Sequence, residues 1–221
     1  MDIDDDIPPS FASPPCLMHE LDPAYAGPSS DRSICADVRR WRTSERARLI
    51  AQRLAISPDR RAACEAQIAS RLLAEIGHVR GRVVSVYWPF RGEPDLRPLM
   101  GQIADEGGHC ALPVVVEKGQ ALEFRIWRPG DKLVRGIWNI PVPARSVSCT
   151  PDIVVAPVVG FDPSCYRLGY GGGYYDRTLA AMATYRVLGV GFALSRIRTI
   201  YPQAHDIRMD VVVTESATDH C

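Results

Sequence analysis

Apolar residues return at four-residue steps between positions 58 and 76, where Cys64, Ile68, Leu72 and Ile76 form one stripe. That spacing puts side chains on a single face of a helix. Ser57 is expected as its N-cap, Pro58 fits the first helical position, and Gly77 fits the C-terminal one. A further helix is predicted from about residue 38 to 55, and another from 95 to about 106, with Leu96, Leu99, Met100 and Ile103 facing inward before Gly107 and Gly108 stop it. Elsewhere the pattern changes to short apolar runs at 83–88, 111–116, 121–127, 153–159, 187–192 and 209–214, which read as strands, the third returning on the second as a hairpin. Strands alternating with helices predict an α/β fold: a single three-layer domain over residues 37–217, with a mainly parallel sheet flanked by helices. Ligands of such sheets gather beyond the carboxyl ends of the strands, so the loops after Trp88, Val159 and Phe192 are expected at one rim.

Residues 1–36 break this pattern. Asp2, Asp4, Asp5 and Asp6 precede six prolines and no apolar periodicity survives, so a disordered acidic and proline-rich extension is expected. Its start lacks the cationic and apolar regions of a secretory signal. The 26 Lys and Arg balance the 26 Asp and Glu. No long-range field therefore favours nucleic acid or an anionic membrane, and any phosphate binding must be local. Lysine occurs only at Lys118 and Lys132, which leaves that work to arginine. The seven cysteines are odd in number, scattered and without a C-x-x-C pair, so neither a disulfide framework nor a zinc site is expected; reduced thiols in a cytoplasmic protein are.

One stretch resists explanation by packing. Residues 161–176, Phe-Asp-Pro-Ser-Cys-Tyr-Arg-Leu-Gly-Tyr-Gly-Gly-Gly-Tyr-Tyr-Asp, put four glycines within five positions between a strand and a helix start. Glycine permits positive φ and close approach, so such a loop can aim its N–H groups at an anion. Arg167 adds a forked cation at the entrance, and Asp176 at the exit could hold a metal. Together these suggest a phosphate site, although neither G-x-G-x-x-G nor a Walker loop is present. The same composition would also suit a tight surface turn.

The segment 167–177, Arg-Leu-Gly-Tyr-Gly-Gly-Gly-Tyr-Tyr-Asp-Arg, closely resembles the signature of the 5-formyltetrahydrofolate cyclo-ligase family, also called methenyltetrahydrofolate synthetases. Residues 87–95 (Tyr-Trp-Pro-Phe-Arg-Gly-Glu-Pro-Asp), 151–157, 160–162 and His205-Asp206 resemble it too, over about residues 40 to 215. The resemblance implies an ATP- and Mg²⁺-dependent ligase forming 5,10-methenyltetrahydrofolate from 5-formyltetrahydrofolate. It implies ATP binding by Arg42, Arg46, Arg167, Leu168, Gly169, Tyr170, Gly171, Gly172, Gly173, Tyr174 and Tyr175, with Arg167 and Tyr175 catalytic. Trp88 and Glu93 would hold the folate, and Asp176 and Asp206 the metal. Small-molecule substrates are then the partners, with no nucleic acid or membrane, and a monomer is expected.

Plainer readings stand beside these. Arg42 and Arg46 could be a solvated basic face, Glu93 a helix cap, Asp176 a first-turn helix residue, Asp206 a turn former, and the two tyrosines core anchors. Arg42 replaces the family's usual lysine and Glu45 its usual leucine, which leaves room for a paralogue acting on another metabolite. A non-catalytic nucleotide or folate sensor is the alternative from a different class.

Overall fold

Consecutive residues of the central apolar runs are buried on opposite faces of one sheet. In Ile153–Pro157, Ile153 and Val155 enter one core and Val154 and Ala156 the other; in Val211–Val213, Val212 parts from its two neighbours in the same way. A strand buried on both faces needs helices above and below it, and the chain supplies them.

The computed structural model describes residues 31–221. Helices α1 (Asp31–Leu54) and α2 (Pro58–Ile76) come first. Then follow β1 (Val83–Ser85), α3 (Arg97–Asp105), β2 (His109–Val114), β3 (Glu123–Trp127), β4 (Leu133–Arg135), β5 (Pro141–Pro143) and β6 (Ser148–Cys149). The second half contains β7 (Ile153–Pro157), β8 (Gly160–Phe161), β9 (Arg167–Leu168), α4 (Tyr174–Ala181), β10 (Arg186–Val190), β11 (Val211–Val213) and β12 (Thr218–His220). Among the described residues the main sheet runs β12-β11-β10-β7-β1-β2-β3-β6. Its interior pairs, from β11 to β2, are parallel, and the antiparallel pairs lie towards the two edges. The three-layer α/β expectation is met.

Helix α2 obeys its sequence. Cys64, Ile68, Leu72 and Ile76 are all buried, Pro58 is its first residue, and Gly77 ends it at φ 68°. Ser57 departs from expectation: its carbonyl accepts from the amide of Arg61 at 2.9 Å, but its hydroxyl caps nothing. Helix α1 begins at Asp31, inside the stretch assigned to the extension; residues 1–30 of that stretch lie outside the described residues. The inward face of α1 carries Val38, Leu49 and Ile50, but also Arg42 and Arg53, both buried. A solvated basic face is therefore the wrong description of Arg42, and Arg46 beside it is half-buried.

The cysteine expectation also needs correcting. Cys165 and Cys221 are joined as a disulfide with Cα atoms 6.1 Å apart, whereas Cys35, Cys64, Cys110 and Cys149 are free. β12 pairs antiparallel with β11 and carries the chain end back to the turn that holds Cys165. A separation of 56 residues gives no local sign of this. Among the described residues, no helix is long and apolar enough to cross a membrane.

Candidate active site

Strand β1 lies between β7 and β2. The chain leaves β1 through α3 to β2 on one side, while β7 arrives on the other. Such a reversal opens a crevice at the strand carboxyl ends. A cavity of about 590 Å³ occupies that position, and every site residue expected from the sequence lines it.

The glycine loop is anchored before it begins. Asp162 accepts from the amides of Ser164 (3.0 Å) and Tyr166 (3.1 Å) across the β8–β9 turn, and from the amide of Ile200 at 3.1 Å. Beyond β9 the backbone goes left-handed at Gly171 (φ 94°) and Gly173 (φ 64°), the second being the N-cap of α4. A Cβ on Gly172, which is not left-handed, would stand 2.5 Å from the ring of Tyr174, so there it is contact and not φ that opposes a side chain. The helix therefore starts straight out of the loop, and Gly173, Tyr174, Tyr175 and Asp176, the residues whose amides a helix start leaves free, line the cavity.

Cations and carboxylates alternate around the loop. Arg46 donates from Nε to the carbonyl of Gly169 at 2.7 Å, and its guanidinium would lie 3.3 Å from a Cβ on Gly171. Burial, and then repulsion from Arg42, lower its pKa to about 10, which leaves it charged at neutral pH. Arg167 pairs with Asp176 at 3.0 Å and lies 4.9 Å from the ring centroid of Tyr175. Arg42 pairs with Asp206 at 2.5 Å and also donates to the carbonyls of Ile200 (2.9 Å) and Tyr201 (2.8 Å). Asp206 keeps its turn-forming part too, accepting from the amide of Gln203 at 2.6 Å. Because Asp176 accepts from the amide of Ile207 at 3.3 Å, both aspartates converge on the 200–207 loop. The Tyr175 hydroxyl is buried without a hydrogen-bond partner, and burial raises its pKa.

The opposite wall is aromatic and acidic. Trp88 packs edge-on against Trp127, with centroids 5.9 Å apart, and Arg97 lies over its ring. Glu93 does not cap α3, whose N-cap is Leu96. It turns inward instead, only 4 % exposed, accepting from the Tyr170 hydroxyl at 2.8 Å and from the Phe90 amide at 2.8 Å. Burial outweighs these bonds and Arg53 nearby, and raises its pKa from 4.5 to about 7. The unfolded chain ionises this carboxyl first, so folding stability should fall by about 3 kcal/mol between pH 4.5 and 7 and stay level above. Each pH unit is worth about 1.4 kcal/mol. In Glu93→Gln that slope should disappear. Urea titrations of both proteins at pH 5 and pH 8 measure it, and parallel pH dependences would refute the assignment.

Two groups escaped the sequence reading, one bordering the cavity and one behind its wall. Trp138 borders it at positive φ (54°), half exposed, 5.5 Å from the Tyr174 ring centroid. An isolated aromatic in the proline-rich 129–151 connection was the available sign. Arg53 lies at the inner end of α1, 1 % exposed, and donates to the Tyr170 hydroxyl at 2.7 Å. By contrast Glu45, the other departure noted above, pairs with Arg48 along α1 and does not line the cavity.

Known proteins resemble the chain in sequence and in fold. The chain is 32% identical over 174 residues to the 5-formyltetrahydrofolate cyclo-ligase of Escherichia coli K12, covering 75% of this chain and 95% of that one. It is 31% identical over 146 residues to the protein of that name from Mycolicibacterium smegmatis, covering 62% and 75%. The solution structure of Aquifex aeolicus 5,10-methenyltetrahydrofolate synthetase superposes with a TM-score of 0.70 at 28% identity, covering 81% of this chain and 92% of that one. The sequence profile of the 5-formyltetrahydrofolate cyclo-ligase family matches residues 38–215, and the chain belongs to that family.

Proposed function

We propose that the chain is a ligase that converts 5-formyltetrahydrofolate and ATP to 5,10-methenyltetrahydrofolate, ADP and phosphate in this cavity. The observation that carries the reading is the confrontation of two unlike walls: the arginine-flanked glycine loop, and Glu93 with Trp88, joined at the Tyr170 hydroxyl. The first suits a polyphosphate and the second a flat, nitrogen-rich heterocycle.

The formyl oxygen attacks the γ-phosphorus, the bond from that phosphorus to the bridging oxygen breaks, and ADP leaves. N10 then attacks the activated carbon. A C–N bond forms, the C–O bond to phosphate breaks, and the N10 proton passes to solvent or phosphate. No protein nucleophile is needed. The loop amides, Arg46 and Arg167 hold the triphosphate in line and neutralise charge as it moves, while Tyr175 and Trp88 confine the pterin. Asp176 and Asp206 offer two hard carboxylates beside the loop. That set fits Mg²⁺, whose remaining ligands are commonly phosphate oxygens and water. When bound, the metal would supply further charge neutralisation at the phosphates.

The domain takes in all of α1 and β12, and so reaches beyond the expected 37–217 on both sides, and we infer that it acts as a monomer because one chain supplies both walls of the cavity. A cytoplasmic location rests on the four free cysteines among the described residues, and the Cys165–Cys221 link is the one observation that runs against it. Purified protein given 5-formyltetrahydrofolate, ATP and Mg²⁺ should develop methenyl absorbance with one ADP per product. Binding of both ligands without any product would sink the ligase reading.

A further inference from the structure

We propose that the Tyr170 hydroxyl, held by Arg53, is a positioning group that links Glu93 to the glycine loop, so that filling either half of the cavity pre-orders the other. This rests on the reading of Glu93 as the folate carboxylate and of the loop as the nucleotide site.

The burial of Arg53 is otherwise hard to explain. A cation without water is costly unless its donors are used, and a leucine or methionine would fill the space more cheaply. Arg53 spends its three nitrogens on three different segments: Nε on the carbonyl of Arg91 (3.2 Å), Nη1 on that of Val158 (3.3 Å) and Nη2 on the Tyr170 hydroxyl (2.7 Å). These are the loop after β1, the turn after β7, and the glycine loop. No ion pair to Arg53 exists among the described residues, and its charge reaches Glu93 through a single hydroxyl.

The loop that buries Glu93 is itself held under constraint. Arg91 (φ 48°) and Gly92 (φ 76°) are both left-handed, a conformation that a non-glycine residue adopts at a cost and keeps only when its surroundings enforce it. Arg53 grips the first carbonyl, and Arg61 grips the second at 2.6 Å while also donating to the carbonyl of Arg53 at 2.6 Å. Tyr170 crosses from the glycine loop to this clamp. Its hydroxyl donates to Glu93 at 2.8 Å, or to the carbonyl of Phe90 at 3.3 Å, and its ring meets that of Phe90 edge-on at 5.8 Å. One side chain thus touches both walls, and movement of the loop on a phosphate must move the donor on Glu93.

The titratable and charged groups facing Glu93 are Arg53 from α1, Tyr87 from the loop just after β1, Tyr170 from the glycine loop and Tyr175 from α4. Of these, Tyr170 is the one that bonds the carboxylate.

Tyr170→Phe keeps the ring and its contact with Phe90 and removes the link. Affinity for 5-formyltetrahydrofolate should be measured by calorimetry with and without a non-hydrolysable ATP analogue and Mg²⁺, across pH 6 to 9. In the parent the analogue should tighten folate binding by about fivefold or more. In Tyr170→Phe that factor should fall to about one, and the pH midpoint of folate binding should move up by about one unit, because the carboxylate loses a donor to its charged form. A simple packing role would move neither. No coupling in the parent, or equal coupling in the variant, would overturn the inference. Glu93→Gln separates the two levels: folate affinity unchanged in that variant would overturn both the inference and the folate assignment. Weakened folate binding there, with coupling intact in Tyr170→Phe, would overturn the inference alone.

Discussion

Gly171→Val should lose ATP affinity by about a hundredfold or more while keeping its far-UV spectrum. Position 171 sits at φ 94°, where a β-branched residue is strained by about 1–3 kcal/mol. The added Cβ would lie 3.3 Å from the guanidinium carbon of Arg46, with γ-methyls beyond it, so Arg46 must leave the carbonyl of Gly169. Losing one charge-assisted bond and the loop geometry together accounts for about 2.7 kcal/mol, or two decades in Kd. Gly81→Val is the control, because Gly81 has a similar φ (74°) but nothing within 4 Å of its added Cβ. It should reproduce the strain and leave ATP binding alone. Should both variants bind the nucleotide like the parent, the glycine loop is only a turn.

Asp176→Asn should cut turnover by about a hundredfold, with partial recovery at high Mg²⁺. The side chain keeps its shape and can still accept from the Ile207 amide, but the charge facing Arg167 is gone. Arg167 is almost fully buried, so the weakened pair should also lower stability, by about 1–3 kcal/mol. Turnover against Mg²⁺ concentration distinguishes two roles. A variant that melts earlier yet turns over normally at every Mg²⁺ level would make Asp176 a structural counterion and nothing more.

Much of this was legible because it is local. Four-residue spacing, Pro58 and Gly77 define α2 without reference to the rest of the chain, and the glycine run carries its own conformational demand. What stayed hidden depends on distant partners. Arg53 gave no sign of its role because nothing in its neighbourhood says that the end of α1 is covered by the 90s loop and Val158. The β4–β5 hairpin and β12 are three residues a strand, too short for alternation to show, and the Cys165–Cys221 link depends on where β12 lands. The Ser57 hydroxyl failed as a cap for the opposite reason: a strong local preference that the final geometry did not use.

The pairing of Arg42 with Asp206 joins residues 164 positions apart. Contacts of such separation close large loops and are late and slow to form. On a ribosome adding about 5–20 residues per second, Asp206 follows Arg42 by about 8 to 33 seconds. During that interval α1 can form, but the segment that takes up its inward-facing cation has not been made. The nucleotide side of the cavity is therefore completed only once the 200–207 loop has been made, and a chain stopped short of that loop would carry the glycine signature without a finished site around it.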